Sequence, residues 1–377
     1  MYLIILDKIV IMCYNNEFIK EIEINNYDDL VKTIQGKSNK CDDLRDKFIF
    51  RGVEDSDFKL IPSALRGDNI NDFVDERFNI TLWINSENVD EFNSITGNNL
   101  EYCEGMLYPV RFNKYLDVLD QDIVNQVHSF GEIQFRKELN ALMNFLNYTD
   151  KSGLKIPIKQ ETRELIEHDI GKKFNGNSYW PDSDFYEVIS LAQHYGIPTR
   201  ALDWSYDYRV ALYFAVKNIL ADDYLTNDKK PNNAVLWAFN YKYFEVNHMF
   251  DASMPFPVQY YRPEYNSNPN LNAQKGLFTF IVDDLHNISK QPFDEFVEDN
   301  LSGKLDDFIG FDGSSRVYLP KDEKAFYKFI IPEGIKPEIL DELYHECYSE
   351  EYLFPGYGGV TKFVENRIKL DKLLNNL

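Results

Sequence analysis

AVLWAF at 234–239, GLFTFIV at 276–282, RVYLP at 316–320 and FYKFIIP at 326–332 are short apolar runs of strand length in the last third of the chain. Helical spacing dominates ahead of them. From Glu132, the residues Phe135, Leu139, Leu142, Met143 and Leu146 recur at intervals that put them on one helical face. A second helix is expected over Asp184–His194, with Phe185, Val188, Ile189 and Ala192 inward and Gly196 and Pro198 as its stop signals. Ser205 is expected to cap a third helix that turns Val210, Ala211 and Phe214 inward. Helices early and strands late predict an α+β fold, with a mixed or split central sheet and helices on the N-terminal side, not a doubly wound βαβ repeat. Earlier still, KFIFRG at 47–52 reads as a buried strand ending at a turn.

The first 44 residues read as a strand–helix extension, ending in an acidic helix around DDLVKTI. Residues 45–365 then form the main domain. Within it, 68–130 is rich in Asn, Asp and Glu and weakly periodic, as expected of an insertion with its own helices and loops. A short helix, PEILDELY, precedes SEEYLFPGYGG near the end, and 366–377 reads as a C-terminal helix end.

The 377 residues are 44% hydrophobic, enough to bury a sizeable core and to exclude an intrinsically disordered chain. The 62 acids against 40 bases give a net charge of −22, which repels polyanions and argues against a broad duplex-DNA groove. Four scattered cysteines without a CxxC pair point away from zinc ribbons and disulfide scaffolds and towards a reducing cytoplasm. The apolar opening MYLIILDKIVIM is broken by Asp7-Lys8 and reads as a strand, not a signal peptide. No apolar run is long enough for a membrane span. Motifs for dinucleotide dehydrogenases, P-loop enzymes, zincins and α/β-hydrolases are absent, and six histidines without ligand spacing predict no metal site.

Three local clusters remain. Arg51, in Phe50-Arg51-Gly52, follows a buried run, where a guanidinium needs an anion; that anion is a ligand phosphate or one of the chain's many acids. LAQHYGIPTRALDWS at 191–205 gathers His194, Tyr195, Thr199, Arg200, Asp203, Trp204 and Ser205 about a Gly–Pro turn. Loops of this kind carry binding groups, yet Arg200 and Asp203 equally suit a structural ion pair. In SEEYLFP at 349–355, strand alternation would send one of Glu350 and Glu351 inward.

Taken in order, FRG (50–52), LIPSALR (60–66), QHYGIPTRALDWS (193–205), ALYFAV (211–216), AQKGLFT (273–279) and YLFPGYGGV (352–360) closely resemble the FRG-domain family, across about 45–365. Gln274 and Gly276 belong to that pattern without an assigned chemistry. A weaker resemblance is to arginine-type ADP-ribosyltransferases. It implies Arg51 on the phosphate of NAD, Asp203-Trp204-Ser205 in the place of a Ser-x-Ser motif, and Glu351 as the catalytic carboxylate before an apolar segment ending in Pro355. Asp203 departs from the first serine of that motif, and Ser349 stands where transferases of protein arginine carry a second acid.

That resemblance implies NAD as co-substrate, no metal, and Arg51, Gly52, His194, Tyr195, Thr199, Arg200, Asp203, Trp204 and Ser205 around it. A fixed carboxylate suits the oxocarbenium-like state of nicotinamide–ribose cleavage, and Arg51 would orient the dinucleotide. Arg51, Asp203, Ser205 and Glu351 are then expected around one cleft. The expected protein is a cytoplasmic toxin or phage-defence effector acting on RNA or protein, with a neutralising antitoxin as partner. The alternative is a non-catalytic module that binds a nucleotide ligand or a protein and makes Glu351 incidental.

Overall fold

Phe50-Arg51-Gly52 lies inside a strand, not at its end. The computed structural model describes residues 18–67, 69–77, 79–85, 107–113, 130–156, 158–169, 173–174, 179–221, 232–250, 257–264, 268–284, 289–302, 317–318 and 323–375. Its main sheet is built from β1 (Ile19–Glu23), β2 (Ile49–Val53), β3 (Leu202–Ser205), β4 (Ala234–Phe239), β5 (Val258–Tyr261), β6 (Gly276–Ile281) and β7 (Phe326–Ile331). Their order is β1-β7-β4-β2-β3-β6-β5. Only β1 and β7 run parallel; the other neighbours are antiparallel. The α+β class with a mixed sheet is therefore observed. The apolar opening at 1–12, most of 68–130 and the ends of RVYLP lie outside the described residues.

Helices α1 (Tyr27–Ile34), α2 (Phe130–Lys151), α3 (Tyr186–His194), α4 (Tyr208–Val216), α5 (Lys336–His345), α6 (Glu350–Leu353) and α7 (Tyr357–Leu374) are spread along the chain, so helices are not confined to its N-terminal side. All six residues of β4 are buried because the sheet is covered on both faces, which is why AVLWAF shows no polar alternation. On one face, Phe50, Leu236, Ala238 and Phe329 pack with Leu30 of α1, Leu212 of α4 and Leu340 of α5. On the other, Ile49, Trp237, Phe239, Trp204 and Leu277 meet Phe293 and Val297. Phe278 and Phe280 of β6 pack with α2 and α3 through Leu142, Leu146, Phe185 and Ile189. β1 pairs with β7 and α1 enters the first core, so the N-terminal elements share the main sheet. Among the described residues, no helix is long and apolar enough to cross a membrane.

Three sequence expectations are corrected. Within 68–130, Asn79–Asn85 and Leu107–Asn113 form an antiparallel ribbon in place of the helices expected there, as their aromatic and β-branched residues favour, while Asn71–Phe73 is a short 3-10 helix. Asp207, not Ser205, caps α4: its carboxylate accepts from the Arg209 N–H at 3.1 Å, and Ser205 ends β3. Residues 350–353, expected as strand, form the single turn of α6. Acids in a first turn suit the positive end of a helix; Phe354 ends the turn, and Gly356, at φ 132° in a conformation that favours glycine, is the N-cap of α7.

Gly52 is fixed by packing, because α4 crosses β2 there. A Cβ at this position would lie 1.9 Å from the carbonyl oxygen of Ala211 and 2.6 Å from the backbone nitrogen of Ala215. Gly52→Ala is therefore expected to destabilise the fold by about 3 kcal/mol or more, read as a lower urea midpoint with unchanged slope.

Candidate functional site

Register pairing between β2 and β3 is limited to Phe50 with Ser205. Beyond that pair a side chain replaces the backbone ladder. Arg51 Nη1 donates to the Asp203 carbonyl at 2.7 Å and to its carboxylate Oδ1 at 2.5 Å. The structural alternative for Arg51, an ion pair with an acid of the chain, is thus what the geometry contains. One donor is left over: the buried Arg51 Nε has no hydrogen-bond partner.

A cavity of about 240 Å³ opens at this split. Arg51, Gly52, Gln193, His194, Asp203 and Gln274 contribute to its wall. Desolvation would raise the Asp203 carboxyl, but its side chain is 59% exposed and the Arg51 charge prevails, holding it below the usual carboxylate range. Desolvation pushes the His194 imidazole below its ordinary value, against the pull of the Asp203 charge, so the ring is neutral at pH 7. Arg66 joins the same field, its guanidinium lowered by desolvation and then by the neighbouring Arg51 charge. Arg66 Nε donates to the Ile61 carbonyl at 2.6 Å, and its charge adds to that of Arg51 in the field at Asp203.

Several residues expected to touch a cofactor do other work. Arg200 is 2% exposed and grips Glu138 of α2 through Nε to Oε2 at 2.7 Å and Nη2 to Oε1 at 2.8 Å. The same carboxylate accepts from Trp180 Nε1 at 2.7 Å and from Gln134 Nε2 at 2.9 Å. Arg200 is a structural anchor and is absent from the cavity wall. Thr199, also off the wall, donates to Gln193 Oε1 at 2.7 Å, which leaves the Gln193 amide nitrogen as the end free to meet a ligand. Tyr195 is exposed and off the wall, its ring edge-on to His194.

Trp204 and Ser205 belong to the wall, but their polar atoms are engaged. Trp204 Nε1 donates to Thr279 Oγ1 at 2.8 Å. Ser205 Oγ donates to the Gln274 carbonyl at 2.7 Å and accepts from the Asp207 N–H. Gly52 lies on the wall for the packing reason given above. Sequence reasoning left Gln193, Gln274, Arg66 and Glu138 without roles. The first three stood inside recognised motifs, whereas a lone glutamate in an amphipathic helix gave no signal.

Of the four residues expected around one cleft, Arg51, Asp203 and Ser205 lie on the cavity wall and Glu351 does not. Because α6 is helical, the two neighbouring acids are not related by strand alternation. Glu350 is 2% exposed and accepts from Tyr213 Oη at 2.9 Å, Tyr344 Oη at 2.9 Å and Asn366 Nδ2. Burial and then the Glu350 charge raise both phenols, so each remains a donor. Glu351 is half-buried, and its Oε2 has no hydrogen-bond partner. Among the described residues, no group of three or more His, Cys, Asp or Glu side chains is placed to hold a metal ion.

Residues 133–224, from α2 through α4 and the turn after it, match the FRG-domain family model. The matched segment includes the Glu138–Arg200 anchor, Gln193, His194 and Asp203, while the Phe50-Arg51-Gly52 triplet lies outside it and meets it through β3. No curated protein and no solved structure matches the chain.

Two outcomes test these assignments. Arg200→Leu leaves Glu138 as a buried unpaired charge and should cost about 3–5 kcal/mol in urea unfolding. Asp203→Asn removes the charge that supports the imidazolium, so the His194 pKa followed by NMR should fall further below its wild-type value.

Proposed function

We propose that the chain binds a nucleotide, NAD above all, at the Arg51 cavity, and that ADP-ribosyl transfer is the reaction this site serves. The observation that carries the proposal is Arg51 on the cavity wall, paired to one exposed carboxylate and with its buried Nε left without a partner. A ligand diphosphate can exchange with Asp203 for the Arg51 fork and also take the partnerless Nε. Neutral His194 and the Gln193 amide offer uncharged contacts to a base or ribose. The cavity is smaller than the roughly 300–1,000 Å³ of ordinary ligand pockets. It therefore suits one end of a dinucleotide, with the remainder outside.

In the transferase reading, Glu351 supplies the carboxylate for the oxocarbenium-like state, and its partnerless Oε2 is the feature that favours that role. The acceptor would be RNA or protein, and a cytoplasmic toxin or phage-defence effector of this kind needs a neutralising protein. A second reading, a nucleotide-binding module without turnover, is favoured by the absence of Glu351 from the cavity wall.

Calorimetry and a labelled-NAD transfer assay separate the two. Arg51→Lys keeps the charge but not the fork and should weaken NAD binding about tenfold under both. Glu351→Gln should leave NAD affinity intact and lower turnover about 10²–10³-fold under the transferase reading. Binding without transfer in the wild type would select the binding module; no NAD binding at all would overturn the proposal.

A further inference from the structure

A second cavity, of about 760 Å³, lies on the other side of Phe354, which contributes to the walls of both. Its wall includes Tyr213, Lys217, Asn218, Glu350 and Asn366. This volume is within the ordinary range for small-molecule sites. Glu54 and Lys362 also contribute to the wall, Lys362 paired with Glu365; Glu350 is the buried acid, and among the described residues its partners are neutral: two phenols and one amide. A buried carboxylate with no cation beside it is costly and favours an incoming positive donor.

The same carboxylate fixes the orientation of Asn366. Only the Nδ2 end can face Glu350 Oε1, because the carbonyl end would set two negative oxygens together. Asn366 Oδ1 must then turn away, and there it is buried without a hydrogen-bond partner in a residue only 6% exposed. Asn218 Oδ1, on the same wall, is likewise buried and partnerless. These acceptors lack a donor with several N–H groups, and an ammonium has three. Lys217 is on the same wall, its ammonium 4.8 Å from the Phe214 ring centroid and, among the described residues, with no carboxylate partner.

From this arrangement we propose that the Glu350–Asn366 cavity binds a free α-amino acid. Its ammonium is held by Glu350, with the partnerless oxygens of Asn218 and Asn366 on residues of the same wall, and its carboxylate is met by Lys217. The assignment is independent of nucleotide binding at Arg51, which uses different polar groups.

The test titrates the full chain with each of the twenty L-amino acids, scored by thermal shift and then calorimetry. At least one should raise Tm saturably. The corresponding decarboxylated amine and deaminated acid should each bind about tenfold more weakly, since each loses one charge-assisted contact. Lys217→Ala, a change at the cavity rim, should raise the Kd about fivefold, and Glu350→Gln about tenfold or more. Arg51→Lys should leave this affinity unchanged while weakening NAD. The proposal is overturned if none of the twenty shifts Tm, or if Lys217→Ala leaves the Kd of the binding amino acid unchanged.

Discussion

The bond from Arg51 to Asp203 stands where a sheet would ordinarily continue its backbone ladder. β2 and β3 share one register pair, and the guanidinium spans the next position by donating to both the carbonyl and the carboxylate of Asp203. Much of the neighbouring structure hangs from β3. Ser205 holds the carbonyl of Gln274, and the side-chain amide of Gln274 donates to the carbonyl of Leu353 at the end of α6. A single opening between central strands thus sets the place of the cavity and, two hydrogen bonds away, of the helix that carries Glu350 and Glu351.

Charge distribution gives this arrangement its meaning. A chain of net charge −22 holds the Arg51 guanidinium against one carboxylate in the wall of a small cavity. The long-range field disfavours extended polyanions, whereas the short-range field favours one small anion that can reach the split. The other arginine of the recognised motif is deep inside, where Glu138 neutralises it and where Trp180 and Gln134 satisfy the remaining lone pairs. Two arginines with similar sequence signals therefore have opposite roles, set by burial and by the identity of the anion they meet.

Strong periodicity was legible in the sequence, and so was compact motif order. The helices around 135–146 and 184–194 and the strands at 234–239, 276–281 and 326–331 follow from apolar spacing, because a covered sheet needs continuous apolar runs. SEEYLFP misled because four apolar or aromatic residues are too few to separate a strand from one helical turn. The decisive local facts are the two acids in the first turn and the glycine that starts the next helix, α7, three residues on. Arg51 and Asp203 were legible as a charged pair of residue types, but their pairing across 152 positions is a property of strand order. Glu138 was not legible at all, since its partner is brought to it only by tertiary packing.

The close crossing at Gly52 has a mechanical consequence. Backbone rests on backbone there, with no side chain between to act as a cushion, so α4 cannot slide or roll against β2 without displacing the strand itself. The adjacent α4 residues Tyr213 and Phe214 look into different cavities, the first towards Glu350 and the second towards Arg51. Helix and strand therefore lock together at a residue that has no side chain, and that one helix lends a wall residue to each chamber.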